Sequence, residues 1–220
     1  MSGRPVRYAA ALLVGALAFG IAALNHPMLH GDAAAQLATI AATPHWRLIH
    51  WTLAFAFPLM LAGLLGLVAR HLETPGASLL RAGAMVTVLG FGIWALNILF
   101  MVGAGWSLAR TVAAGGATAA TATTIYDTVH PFGLAAERLA TFTMGVALWL
   151  FGRGIACGGV YRGWLSKTAT ATAVVEIAVA VVTNENAPDP LYVAQALIVA
   201  WFAGLALAML AERPRAPTPS

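Results

Sequence analysis

The sequence has little charge, one cysteine and one lysine. Charged residues make up only 9% of the 220 residues, against about 25% in a typical soluble domain. So little charge cannot cover a globular surface in water, and lipid is the solvent that suits this chain. The single cysteine, Cys157, excludes an intrachain disulfide and any cysteine-rich zinc or iron–sulfur site within the chain.

Known sequence signatures of catalysis are also missing. We find no phosphate-binding loop, nucleophile elbow, zinc-protease helix or dinucleotide fingerprint. The net charge of +4 does not indicate nucleic-acid binding, because no basic run with interleaved aromatics is present. Whether the protein is an enzyme, and which residues would then be catalytic, is left open by the sequence.

Long apolar stretches take the place of these missing features. A helix needs about 20 apolar residues to cross a bilayer, and six stretches qualify. They are Tyr8–Asn25, His45–Arg70, Leu80–Gly103, Pro131–Gly152, Val160–Thr183 and Pro190–Leu210. We therefore predict an all-α, six-helix transmembrane bundle forming one domain over residues 1–211. The long loops Asn25–Pro44 and Ala104–His130 and the short loop Asn184–Asp189 would lie outside, and residues 212–220 would form a disordered cytoplasmic tail. Within the second long loop, Thr111–Thr124 is interpreted either as a loop or as a weak surface helix.

The basic residues set the predicted orientation. Nine of the twelve fall at one side of such a bundle. They are Arg4, Arg7, Arg70, Arg81, Arg153, Arg162, Lys167, Arg213 and Arg215. The positive-inside rule then places both termini in the cytoplasm, and the protein in the cell membrane. An alternative for the first segment is a signal peptide, with Arg4 and Arg7 as its positive start.

The first outer loop contains helix signals of its own. Asp32 precedes the helix-like stretch Ala33–Ala42 and is predicted as its N-cap. One face of this stretch is apolar, so we expect a short interfacial helix. Thr43 and Pro44 are then predicted to cap and begin the second span, and Pro131 to begin the fourth.

Glu176 is the sharpest polar signal, because it lies within the fifth span. A carboxylate in hydrocarbon costs several kcal/mol, so this side chain should face the bundle interior. Thr172, one turn earlier, shares its face. Glu176 is interpreted either as a proton, ion or ligand site, or as a structural glutamate that is neutral or hydrogen-bonded between helices.

Further pocket candidates lie at a similar depth. Glu137 and Arg138 lie about 10 Å inside the fourth span. An Arg138–Glu176 pair across helices is predicted, with Asn97 on the third span hydrogen-bonding to it. Arg47, less than one turn from a histidine of the second span, completes the ligand-pocket candidates. The alternative is that these groups only stabilise helix packing.

Five of the six histidines fall on the predicted outer side: His26, His30, His45, His50 and His130. Imidazole is the commonest metal ligand, so these residues are metal or haem candidates, a haem being held by His50 and His130. His45 and His50 are five residues apart and point about 140° away from each other, so they form no chelate on one helix. The alternative is that interfacial histidines simply face water and headgroups.

Small residues predict where the helices approach each other most closely. Gly63, Gly66, Gly90 and Gly92 lie within the second and third spans. Without side chains, they allow neighbouring helix backbones into contact.

These features favour a non-catalytic accessory, scaffold or ligand-binding subunit with a polar pocket in the outer half of the bundle. One alternative is a haem- or metal-binding membrane enzyme or redox protein, and another is a small proton-coupled transporter that uses Glu176. No cofactor is firmly indicated. The expected partners are the lipid bilayer and other membrane subunits or a second copy, and no nucleic acid.

Overall fold

The computed structural model describes residues 4–183 and 189–211, and within these ranges the chain is entirely helical apart from its turns. The helices are α1 (Arg4–Leu24), α2 (Ala33–Ala42), α3 (Trp46–Arg70), α4 (Ala77–Phe100), α5 (Trp106–Ala114), α6 (Ala119–Gly158), α7 (Gly163–Val182) and α8 (Asp189–Ala211). A π-helical turn, Met101–Gly105, joins α4 to α5. The predicted tail, residues 212–220, lies outside the described residues, as does most of the predicted short loop at 184–189.

Six helical stretches are long and apolar enough to cross a membrane, which confirms the predicted multi-pass helical protein. They form a closed ring in chain order, α1, α3, α4, α6, α7 and α8, with α8 returning to pack against α1. Neighbours in the ring run in opposite directions. Each span buries one side against its neighbours, and apolar side chains such as Leu17, Phe55 and Met85 remain exposed, as lipid-facing residues do.

The prediction that Pro131 begins the fourth span is wrong. This proline lies inside α6, a 40-residue helix that starts at Ala119. Proline removes one backbone donor, but the helix continues on both sides. At 1.5 Å per residue α6 is about 60 Å long, roughly twice the hydrocarbon thickness of a bilayer.

The segment 104–130 is not the predicted loop, because it is helical except at residues 115–118. For Thr111–Thr124 the alternative of a helix is the one observed, apart from those four residues. α5 and the start of α6 form a hairpin that continues the spans, and α2 packs against both. Leu37 and Ile40 of α2 are completely buried there, in a small second core. We call this part of the molecule the cap. It consists of α2, the π-helical turn, α5, residues 119–126 of α6 and Trp46 at the start of α3, all of which contribute to the small core. That α2 lies at a membrane interface stays a prediction.

Both predicted ends of α2 are correct, but the predicted start of the second span is wrong. Helix α2 spans the predicted residues, and the Asp32 carboxylate accepts the N–H of Ala35 at 2.9 Å. Thr43 is not the cap of the second span. It ends α2 instead, its hydroxyl donating to the carbonyl of Thr39, and α3 begins only at Trp46.

Glycines bring the spans together at most of the predicted positions. A Cβ at Gly63 would overlap Leu12, one at Gly66 would overlap Tyr8, and one at Gly90 would lie 2.8 Å from the Met144 sulfur. Gly92 is different, because nothing lies within 4 Å of such a Cβ. Three of the four predicted close contacts are therefore present, and Gly92 faces outward.

Candidate functional site

A polar cavity lies inside the ring at the end covered by the cap. Side chains of α1, α3, α4, α6 and α8 line it, and its volume is about 60 Å³. A buried water needs roughly 10–15 Å³ on this measure, so the cavity suits a few waters or a ligand of few atoms. Its polar side chains are His26, His50, Asn97, His130, Glu137, Tyr192 and Gln195. We call it the histidine cavity.

Glu137 is the buried acidic group of this cavity, with only 6% of its surface exposed. Its Oε2 accepts a hydrogen bond from the Asn97 amide of α4 at 3.1 Å. Its Oε1 accepts one from the Gln195 amide of α8 at 2.5 Å. The carboxyl of Glu137 thus joins three spans, and the two hydrogen bonds offset the free-energy cost of burying it.

Two imidazoles meet at the cavity wall. Nε2 of His26, in the loop after α1, lies 3.3 Å from Nε2 of His50 on α3. The second nitrogen of His50, Nδ1, lies 2.8 Å from the carbonyl oxygen of Trp46. Because a carbonyl only accepts, Nδ1 carries the hydrogen and Nε2 of His50 accepts from Nε2 of His26.

The cap fixes the geometry of this wall. The indole of Trp46 packs against the His50 ring, with 4.2 Å between centroids and the ring planes tilted by 37°. Its N–H donates at 3.0 Å to the carbonyl of Met101, in the π-helical turn. A π-helical turn disturbs the regular helix ladder, and this donor binds one of its carbonyls. His130 stacks on Tyr126 of the same cap at 4.7 Å.

Aromatic rings close the floor of the cavity. Phe19 and Trp94, which line it, lie 5.1 Å apart between centroids. Beneath them Phe57 stacks on Phe91 at 4.6 Å. The polar end of the bundle therefore gives way to apolar packing within about two helical turns of Glu137.

Among the described residues, the polar groups that line the cavity are carboxyl, amide, imidazole and phenol groups, with no lysine or arginine. Burial lowers the pKa of His26 to about 4, so its imidazole is neutral near neutral pH. Within the described part of the chain, Asn97 Oδ1 is buried without a hydrogen-bond partner. Within residues 4–183 and 189–211, no three His, Cys, Asp or Glu side chains form a complete metal centre.

The predicted Arg138–Glu176 pair is not formed. Arg138 extends to the end of α7, where its guanidinium donates to the carbonyls of Ala180 and Val181 at 2.5 and 3.0 Å. A cation there complements the exposed carbonyls of a helix C-terminus. Glu176 is completely buried, and neither of its carboxyl oxygens has a hydrogen-bond partner among residues 4–183 and 189–211.

The remaining predicted residues lie apart from the cavity. Glu176 and Thr172 are buried on α7, which contributes no side chain to the cavity lining. Arg47, His30 and His45 are exposed. Of the eleven candidates, five meet in the cavity: His26, His50, Asn97, His130 and Glu137.

Among the lining residues that carry a side-chain N–H or O–H group, the sequence interpretation missed Trp94, Tyr192 and Gln195, and one of them had a usable signal. Gln195 is the only amide or charged residue between Leu191 and Leu210, an otherwise apolar span. An isolated amide in such a span usually bonds across helices, as Gln195 does with Glu137. Tyr192 and Trp94 carried no comparable signal, because aromatic residues are common in spans.

The cavity presents acceptor atoms without a neutralising cationic side chain. Such an arrangement can take up a small group that donates hydrogen bonds or carries positive charge. No family model, curated protein or solved structure matches this chain, so its function has to be inferred from this geometry.

Proposed function

We propose that this protein binds a small cation in the histidine cavity and acts as a non-catalytic binding or accessory subunit of the cell membrane. The observation that carries the proposal is Glu137, a carboxyl buried at the centre of the ring and held by amides from α4 and α8. Such a group is costly in a membrane, and in many proteins it marks a ligand or ion site.

The groups around Glu137 favour a cation over an anion. The carbonyl oxygen of Asn97, beside Glu137, is buried without a donor among the described residues. Asn97 and Glu137 both line the cavity, where the described residues include no lysine or arginine. A bound ammonium group or metal ion would complement the carboxyl and the unpaired carbonyl, whereas an anion would meet the Glu137 carboxyl with no cationic side chain to offset it.

Haem and transport have weaker support. A haem held by His50 and His130 needs far more room than a cavity of about 60 Å³. A proton-coupled carrier using Glu176 needs a water path to that carboxyl, which is completely buried and absent from the cavity lining. We therefore assign neither role. The orientation with cytoplasmic termini remains part of the proposal, because the basic residues support it.

The proposal is tested by cation binding to the full chain purified in detergent. The probes are methylammonium, potassium and zinc chlorides, measured by titration calorimetry and thermal unfolding. We expect at least one to bind saturably, with Glu137→Gln lowering its affinity about ten- to a hundredfold, as loss of a charged hydrogen-bond acceptor does.

Glu176→Gln is the matched control, because it removes an equally buried carboxyl that does not line the cavity. We expect it to leave cation affinity unchanged. The proposal is overturned if none of the three cations binds, or if Glu137→Gln binds them as tightly as the natural chain does.

A further inference from the structure

His26 and His50 place two possible metal-ligating nitrogens side by side at the wall of the histidine cavity. Their Nε2 atoms are 3.3 Å apart, and the ring centroids are 4.9 Å apart at an interplanar angle of 62°. The two rings come from separate parts of the chain, the loop after α1 and the first turns of α3. Their approach is therefore a product of the fold and not of spacing on one helix.

The 3.3 Å separation matches the bite of a tetrahedral metal ion. Zinc–imidazole bonds are about 2.0–2.1 Å long, so two such ligands at a tetrahedral angle lie about 3.3–3.4 Å apart. Two nitrogens joined by a hydrogen bond can lie at the same distance. The distance alone therefore does not distinguish a metal site from a hydrogen bond between the two imidazoles, and the groups around the pair have to be considered.

The surroundings of His50 resemble the support given to a metal ligand. Its Nδ1–H donates to the Trp46 carbonyl at 2.8 Å, which fixes the tautomer whose Nε2 lone pair faces His26. Metal-binding histidines almost always donate their other N–H in this way. Contact with the tilted indole of Trp46 holds the His50 ring in place from the side.

We propose that Nε2 of His26 and Nε2 of His50 bind a divalent transition-metal ion of the zinc class. The ion takes the place of the hydrogen between the two rings. That hydrogen moves to Nδ1 of His26, so both imidazoles stay neutral and no net proton is released. The remaining coordination positions face the cavity and are filled by water, with Glu137 and His130 among the lining groups.

This inference rests on the proposed function, since it names the class of cation that the cavity takes. It is tested by adding Co²⁺ to the full chain in detergent, freed of metal by chelation and carrying no polyhistidine tag. We expect the visible absorption bands of a tetrahedral Co²⁺ ion at one equivalent, and their loss when Zn²⁺ displaces Co²⁺. X-ray absorption of the zinc-loaded chain should show two imidazole ligands.

Variants identify the ligands. His26→Gln and His50→Gln should each lower Co²⁺ affinity at least about tenfold, since changes even to groups that only support a metal ligand cost that much. His45→Gln is the matched control, because His45 is exposed at the start of α3, five residues from His50. It should bind Co²⁺ as the natural chain does.

The outcomes separate this inference from the proposed function. If methylammonium binds in a Glu137-dependent way but Co²⁺ does not bind, the metal site is wrong and the cation site stands. Tetrahedral bands that survive in His26→Gln or His50→Gln, or zinc without imidazole ligands, also overturn the metal site. If neither cation binds, both proposals fail. Should a variant unfold, the X-ray absorption of the natural chain decides.

Discussion

Glu137 and Glu176 are buried carboxyls on neighbouring helices, but Glu137 accepts two side-chain hydrogen bonds and Glu176 accepts none. Glu137 points toward the centre of the ring, where polar side chains from other helices converge. Glu176 is buried on α7, where its Cβ would lie 2.9 Å from a Cβ placed on Gly145 of α6. Burial alone therefore does not show whether a carboxyl belongs to a binding site or only lowers the stability of the fold. The hydrogen-bond partners of each carboxyl make that distinction.

The difference follows from which neighbours can supply polar groups. At the ring centre, α4 and α8 each contribute an amide to Glu137. Between α6 and α7 the closest atoms around Gly145 belong to Ile177, Glu176 and the carbonyl of Ala173, and none of these donates a hydrogen bond. A small ligand can bind beside Glu137 at the ring centre, whereas the contact between α6 and α7 leaves no space for one beside Gly145.

The strongest test of this comparison replaces each carboxyl by leucine. Glu137→Leu should lower the free energy of unfolding by about 2–4 kcal/mol, because it leaves two buried amides without their acceptor. Glu176→Leu should raise it by about 1–3 kcal/mol, because it removes a buried polar group that has no partner. Equilibrium unfolding in detergent micelles, followed by circular dichroism, measures both.

The opposite signs are the informative result. If both substitutions destabilise the protein by similar amounts, Glu176 has a stabilising role equal to that of Glu137, and the distinction between the two regions is lost. Glu176→Gln serves as a control of similar size, and it should change the stability less than leucine does because it keeps a polar group in place.

Much of the fold could be predicted from the sequence, because apolar length and helix capping are local properties. The six spans and the Asp32 cap of α2 are examples. The helices within residues 104–130 were predicted mainly as a loop because this segment is rich in alanine, threonine and glycine, which is weak evidence for a helix. They form because α2, α5 and the start of α6 pack on one another and bury apolar side chains such as Leu37, Ala109 and Tyr126.

The candidate site was harder to predict, because depth in the membrane does not determine direction. Glu137 and Arg138 are neighbours in sequence, and successive helical residues point about 100° apart. Glu137 therefore faces the ring centre while Arg138 reaches the end of α7. For this reason the polar groups predicted at one depth do not form one cluster, and only the tertiary packing shows which of them share the cavity.

Two glycines of α6 sharpen the comparison between the regions. A Cβ at Gly145 would lie 2.8 Å from Ile177 Cγ1 and 3.1 Å from the Ala173 carbonyl, so Gly145→Ala should cost about 1–3 kcal/mol by overpacking. A Cβ at Gly133 would overlap the Asn97 side chain, which can rotate away. Gly133→Ala should therefore cost less stability but weaken cation binding severalfold, because Asn97 would lose its contact with Glu137.

Gly92→Ala is the control for both, because its Cβ would meet nothing within 4 Å. It should raise the free energy of unfolding by about 0.5–1 kcal/mol, the usual gain from alanine in a helix. Calorimetric titration and unfolding of the three variants give the two quantities. A Gly145→Ala protein that loses cation affinity while Gly133→Ala keeps it would reverse the assignment of the two regions.

The smallest expected effect comes from comparing a tryptophan of the cap with a tryptophan elsewhere in the bundle. Trp46 and Trp201 are both buried, and each indole donates to a backbone carbonyl, that of Met101 at 3.0 Å and that of Leu165 at 3.1 Å. Trp46→Phe and Trp201→Phe should each cost about 1 kcal/mol, the net value of one hydrogen bond. Only Trp46→Phe should also lower cation affinity, because Met101 lines the cavity and Trp46 holds His50. Equal affinities in the two variants would mean that the cap does not position the site, and that the histidine cavity is set by the spans alone.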